Sequence, residues 1–271
     1  MMTQATGTMN QLQQQIAMIG HNMSNSNTPG YKERQAEFSN ILSQQINNLS
    51  TTDDMGPRLT PDGIREGIGA RLGAIHSNQQ IGSFEETGRA LDSALTQPNH
   101  FYQVQVDGDV HYTRDGSFYL QPVGDSDMMQ LVTKDGHPVY GNDGPIEFST
   151  TDVQHMNIAS NGDIVVERNG VNDVVGTLAI ADIALPNALE TAGDNLFHLP
   201  NLAALGLDQD EMVQAAIPEG NELVQGGTLE MANVSIQEQM TQLMNAQRAY
   251  QFNARSVTMS DQMQGLVNQL R

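Results

Sequence analysis

The stretch "NMSNSNTPGYKER", Asn22–Arg34, separates two kinds of chain. Residues 1–31 contain no Asp, Glu, Lys or Arg, so a helix built there would end without charged help. Inside the stretch, Ser and Asn side chains compete with a helix for backbone hydrogen bonds. Thr28 precedes Pro29 and is pushed toward extended geometry, and Pro29-Gly30 then turns the chain. The stretch is a helix stop. What lies on either side of it decides the fold.

Upstream, Met2, Ala5, Met9, Leu12, Ile16, Ile19 and Met23 recur at alternating spacings of 3 and 4. That period lays one apolar seam along a helix. The other faces are Gln, Asn, Thr and Ser rather than Glu and Lys. Two arrangements fit: an amphipathic helix docked on its own domain, or a helix surrounded by other helices, where amides are desolvated more cheaply than charges. The C-terminus repeats the rhythm in Ile236, Met240, Leu243, Gln247, Tyr250, Ala254 and Val257. Asp261 interrupts it, and a shifted seam of Met259, Met263, Leu266 and Leu270 follows. At ~1.5 Å per residue the second helix is much the longer, so the first cannot cover it. Burial of one seam does not offset the entropy of ordering its backbone; in isolation both ends are expected to fray.

Between the ends the signals are strand and turn. Asp-Gly or Asn-Gly falls at 107–108 and 115–116, at 135–136 and 143–144, and at 161–162 and 169–170, in pairs eight residues apart. That cadence predicts short strands joined by tight turns, and a fragment of about residues 75–225 is expected to fold alone. Residues 50–82 are punctuated by Gly and Pro and read as an extended connector.

Charge divides the same way. The chain carries −20 overall, residues 231–271 carry +1, and the middle holds the deficit. Nucleic acid is excluded as a partner, since neutralising phosphates needs clustered Lys and Arg. No run of 18 apolar residues marks membrane insertion. Nor does the start carry a basic segment followed by an apolar one, as a secretory signal would. The absence of cysteine removes disulfides and thiolate chemistry. Gly67–Gly73 has one residue too many for a dinucleotide loop and no strand before it. The histidines lack ligand spacing, the Asp107/Asp109 and Asp125/Asp127 pairs begin no calcium loop, and no nucleophile motif is present. No cofactor, metal or catalytic residue is indicated.

With both ends laid out, the chain resembles the bacterial flagellar basal-body rod and hook family of axial proteins. The resemblance is carried by Asn22, Asn25, Asn27, Thr28, Pro29, Gly30, Tyr31 and Lys32, which follow the family's Asn-x-Asn-Thr-Pro-Gly-Tyr-Lys signature, with His21 and Ser24 departing from its usual Asn and Ala. It is carried equally by Leu229, Glu230, Asn233 and Val234, which match the Leu-Glu-x-Ser-Asn-Val run before the last helix, Ala232 standing for Ser. Tyr112–Phe118, Asp135–Val139 and Gly193–Phe197 are similar to the family's middle strands, whereas Asp92–His100 is less apolar than its counterpart.

The resemblance implies a non-enzymatic subunit that leaves through the flagellar type III export apparatus. It polymerises helically outside the inner membrane with itself and other rod or hook subunits, and transmits torque from motor to hook. The length favours a rod over a hook subunit. The organisation expected is α+β: N- and C-terminal coiled-coil-type helices flanking a central all-β domain. The divisions are 1–30 with 231–271 as the helical assembly domain, 31–82 as connector, and 83–230 as the β-rich rod domain. The assembly interface is expected on the seam residues of both helices, from Met2 to Met23 and from Ile236 to Leu270. Two alternatives stay open: an enzyme acting on cell-wall glycan through a hidden carboxylate pair, and a secreted coiled-coil adhesin.

Overall fold

A computed structural model of the chain describes residues 2–40, 44–46, 64–66, 70–124, 127–193, 195–200, 212–216 and 222–269. It is α+β, with a helix at each end and strands between. The chain forms two compact units, Met1–His21 with Arg34–His76 and Ile236–Arg271, and Asn22–Glu33 with Ser77–Ser235.

The first unit contains both helices. Helix α1, Met2–Ser24, stops where the Ser/Asn run begins, and Ser26 Oγ donates to the Met23 carbonyl at 3.0 Å. Helix α2 spans Ile236–Gln269, about 51 Å at 1.5 Å per residue. Ser235 and Glu238 stand at its start with the spacing of a capping box. Gln13 Nε2 donates to Tyr250 Oη at 3.2 Å, tying the two helices. The stretch read as a connector is extended where described, but it is also paired: Arg34–Asn40 with Ala70–Ser77, and Gln44–Ile46 with Ile64–Glu66. The paired strands are far apart in sequence, so no short turn betrays the pairing.

The second unit is built on a six-stranded antiparallel sheet. Its order is Glu190–Gly193, Leu196–His198, Asp109–Thr113, His100–Val106, Ile180–Ile183 and Val213–Ala215. Alternation along His100–Val106 sends Tyr102 and Val104 into the main core with Leu95, Phe118, Leu131 and Ile164. Phe101 goes to the other face with Tyr112, Ile183 and Phe197. This sheet is therefore apolar on both faces at its centre. Two three-stranded sheets, running through Tyr119–Ser149 and Val153–Thr177, close the main core.

The turn cadence holds at most of its positions. Asp107-Gly108 and Asn169-Gly170 have positive φ at both residues and join adjacent hairpin strands. Asp115-Gly116 does not make such a turn. Asp115 is buried and accepts from Ser117 N at 3.0 Å and from Lys134 at 3.2 Å. Gly116 is pressed so close to Ser93 that an added Cβ would lie 1.7 Å from the Ser93 carbonyl oxygen. The dipeptide that looks like a surface turn is a close-packed interior piece.

Candidate functional site

The second unit encloses a junction of three charges. Glu230 ends the strand Thr228–Glu230, which pairs with Phe84–Glu86. Its Oε1 accepts from Lys32 Nζ at 2.7 Å and from the Gly82 amide at 3.0 Å. Its Oε2 accepts from Arg114 Nε at 3.0 Å and Nη2 at 2.5 Å. Arg114 spends its remaining nitrogen on the carbonyls of Gln97, Pro98 and His100, at 2.6, 3.2 and 2.8 Å. Lys32 gives a second bond to the Gln80 carbonyl at 2.7 Å. The three side chains are 0–1% exposed. A buried ion of this kind persists only when its remaining bonds are also made.

The junction holds two cations against one carboxylate, and titration follows from that. Burial pushes the Glu230 carboxyl up, but Arg114, then Lys32 and the Gly82 amide, outweigh it and hold the group below its ordinary range. Burial, and then Arg114, pull the Lys32 ammonium down to about 8 against the attraction of Glu230. Lys32 is thus the cation whose proton the junction loosens.

The helix-stop residues are built around this junction. The Gly30 amide donates to the Glu230 carbonyl at 2.8 Å. Gly30 has φ +68°, and a Cβ there would sit 2.5 Å from the Asp115 nitrogen. Only glycine fits. Tyr31 Oη donates to Asn22 Oδ1 at 2.9 Å in a buried bond, and Thr28 N reaches the Asn25 carbonyl at 3.1 Å. Pro29 O accepts from Asn195 Nδ2 at 3.1 Å. Asn233 Oδ1 accepts the Glu33 amide at 2.7 Å, while its Nδ2 donates to the carbonyls of Asn78 and Gln80 at 2.8 and 2.9 Å. Leu229 is buried, Val234 half-buried and Asn27 exposed.

The helix seams are placed unevenly. On α1, Ile19 is buried and Met9, Leu12, Ile16 and Met23 are half-buried; Met2 and Ala5 lie on the same helix. On α2, Leu243, Tyr250 and Val257 are half-buried, but Ile236, Met240, Met263 and Leu266 are exposed. Leu270 lies outside the described residues. The fully covered positions near the start of α2 are Gln239 and Ala246. The 3-4 pattern alone does not reveal them, since an amide sits where a large apolar residue would be read. Opposite the covered stripe, α2 shows a second apolar face of Met244, Phe252, Met259, Met263 and Leu266. Among the described residues no three metal-ligating side chains converge, and no helix is long and apolar enough to cross a membrane.

Three family models match along the chain. Flagella basal body rod protein covers residues 2–32, the flagellar hook protein FlgE/F/G D1 domain residues 97–166, and the flagellar basal body rod FlgEFG protein C-terminal domain residues 225–270. The flagellar hook-basal body complex protein FlhP of Bacillus subtilis (strain 168) is 39% identical over 274 residues, which is 100% of this chain and 98% of that protein. The chain belongs to the flagellar basal-body rod protein family. The flagellar basal-body rod protein FlgG of Borreliella burgdorferi is 34% identical over 99% of this chain and 97% of its own length. FlgG of Agrobacterium fabrum is 31% identical over 97% and 96%. As a member of this family the chain is a structural component of the bacterial flagellar basal body, and each matched segment supplies one charge to the junction. Lys32 comes from the first, Arg114 from the second and Glu230 from the third.

Arg114 is the residue that sequence reasoning leaves out of the site, although the run Tyr112–Phe118 is among the motifs of the resemblance. The signal available was isolation. Arg114 is the only Lys or Arg between Arg89 and Lys134, in a body crowded with carboxylates.

Proposed function

We infer that this chain is a rod subunit that polymerises helically with copies of itself and with other rod or hook subunits through α1 and α2, carrying torque from motor to hook. The observation that supports the reading is the second apolar face of α2, where Phe252 is 71% and Met263 and Leu266 each 61% exposed. A helix with apolar stripes on two sides is a middle layer and needs neighbours on both. Methionine dominates this face, and its flexible, polarizable side chain adapts to neighbours that are not identical. The hydroxyls of Thr241, Ser256 and Thr258 turn back onto the helix's own carbonyls at 2.9, 3.1 and 3.0 Å, so they demand no partner when covered.

On this reading the seam residues of both helices pack in coiled-coil fashion in the assembled rod, and the chain reaches its place through the flagellar type III export apparatus. No catalytic step is part of the role. Replacing Leu266 or Met263 with Asp tests it in cells. The variant is expected to be made, exported and folded after delivery, yet to leave the basal body incomplete and the cell non-motile. Complete, motile flagella containing the Asp variant would refute the reading.

A further inference from the structure

The segment Leu223–Asn233 is the last part of the second unit to be made, and it completes that unit. Val224–Gly226 is the ladder partner of the buried strand Ser93–Leu95. Thr228–Glu230 is the ladder partner of Phe84–Glu86. Between the two strands the Gly227 amide donates to the Asp92 carbonyl at 2.7 Å. Leu223 and Val224 lie in the main core with Leu95. The Leu223 amide reaches the Ser160 carbonyl at 2.9 Å, and the Met231 amide reaches Ser83 at 2.8 Å. One short segment thus joins elements drawn from residues 30–33, 78–96 and 160.

We propose that Leu223–Asn233 is a closing strap that keeps the second unit from folding until the chain is nearly complete, with Glu230 as its deciding residue. A chain delivered N-terminus first presents Lys32 and Arg114 long before it presents Glu230. Collapse at that stage buries two cations with no carboxylate between them, and breaking a buried pair by removing one partner is strongly unfavourable. Ser93–Leu95 would also be buried without its ladder partner, leaving backbone groups unpaired. Both obstacles vanish together when Glu230 arrives. The carboxylate takes four donors, and its strand pairs in the same step. The device works for any delivery that begins at the N-terminus, so it does not depend on the rod assignment. Its consequence is that no stable β intermediate forms until the strap itself has been delivered, immediately before helix α2.

Force measurement on the whole chain during synthesis tests it, with an arrest sequence reporting folding as successive residues leave the ribosome. The main folding force is expected only after residue 233 has emerged, with less than about one tenth of it when emergence stops at residue 222. A full-sized force at residue 222 overturns the proposal. The Glu230→Gln chain separates charge from mere strand length. It is expected to lose most of the force at the length where the natural chain folds, and in purified full-length protein its folding constant should fall by about a hundredfold or more. A Glu230→Gln chain with an undiminished force peak also overturns the proposal. Glu238→Gln, on α2 and outside the strap, is expected to keep the natural profile.

Discussion

The two units differ most in how they handle charge. By sequence the first holds seven acidic and seven basic residues, a net of zero, over both helices and residues 34–76. The second holds twenty-five acidic against five basic residues, the whole net charge of −20. All five of its basic residues are tied to carboxylates: Lys32 and Arg114 to Glu230, Arg89 to Asp92, Lys134 to Asp115, Arg168 to Asp173. The second unit therefore spends its cations on its own integrity and turns a predominantly anionic exterior to water. The first unit stays neutral and leaves apolar side chains uncovered. The buried ion pairs lie in one unit, and the association proposed through α2 would lie in the other.

This contrast is broken most directly by Arg114→Met. Removing the main partner of a buried carboxylate is expected to cost about 3–5 kcal/mol in the second unit. Chemical denaturation followed by amide exchange should show the loss there, with exchange in α2 unchanged. Equal loss in both units would mean that they are not separately stabilised.

Gly30→Ala is expected to cost somewhat less, roughly 2–4 kcal/mol, from a side chain at positive φ and from the overlap with Asp115 and Arg114. A melting temperature within a degree of the natural chain would show that the helix stop can shift away from the junction without penalty.

A smaller effect sharpens the comparison through pH. The Lys32 ammonium titrates near 8 in the folded protein against an ordinary 10.5, so the unfolded chain binds more protons between those values. Stability of the second unit should therefore rise as pH increases from 8 toward 10. Above 10 the buried hydroxyl of Tyr102, pushed up by desolvation, pulls the other way. Glu230 contributes at the acid end, where its stabilisation is present above the ordinary carboxylate range and is lost as pH falls through its lowered value. In Lys32→Met the alkaline rise should disappear; a rise that persists would assign it to another group.

The smallest change in stability should come from the exposed face of α2. Met263→Gln is expected to alter monomer unfolding by no more than about 0.5 kcal/mol. The same substitution should still reduce incorporation into basal bodies, measured by counting complete structures in electron micrographs. A large loss of monomer stability would mean that this face is already covered within one chain.

The fragment of residues 75–225 leaves part of the junction outside it. It omits Lys32, Gly30 and the strand Thr228–Glu230, so Arg114 would be buried against carbonyls alone. The boundary drawn at 83 likewise excludes Asn78, Gln80 and Gly82, each of which bonds to the junction or to Asn233. These are short-range bonds between residues about 50–200 positions apart along the chain, and no local pattern announces them.

What the sequence determined by itself is what local chemistry controls. The seam of α1, its stop at Ser24 and the turns at Asp107-Gly108 and Asn169-Gly170 each depend on neighbours a few residues away. The motifs containing Lys32 and Glu230 were also legible, but as separate marks at the two ends. Only the tertiary structure decided that they meet, that Arg114 joins them, that Asp115-Gly116 is interior, and which face of α2 is covered. The physical reason is that burying a charge is favourable only when its partners converge from distant parts of the chain. That convergence is a property of the closed fold, absent from any window of sequence.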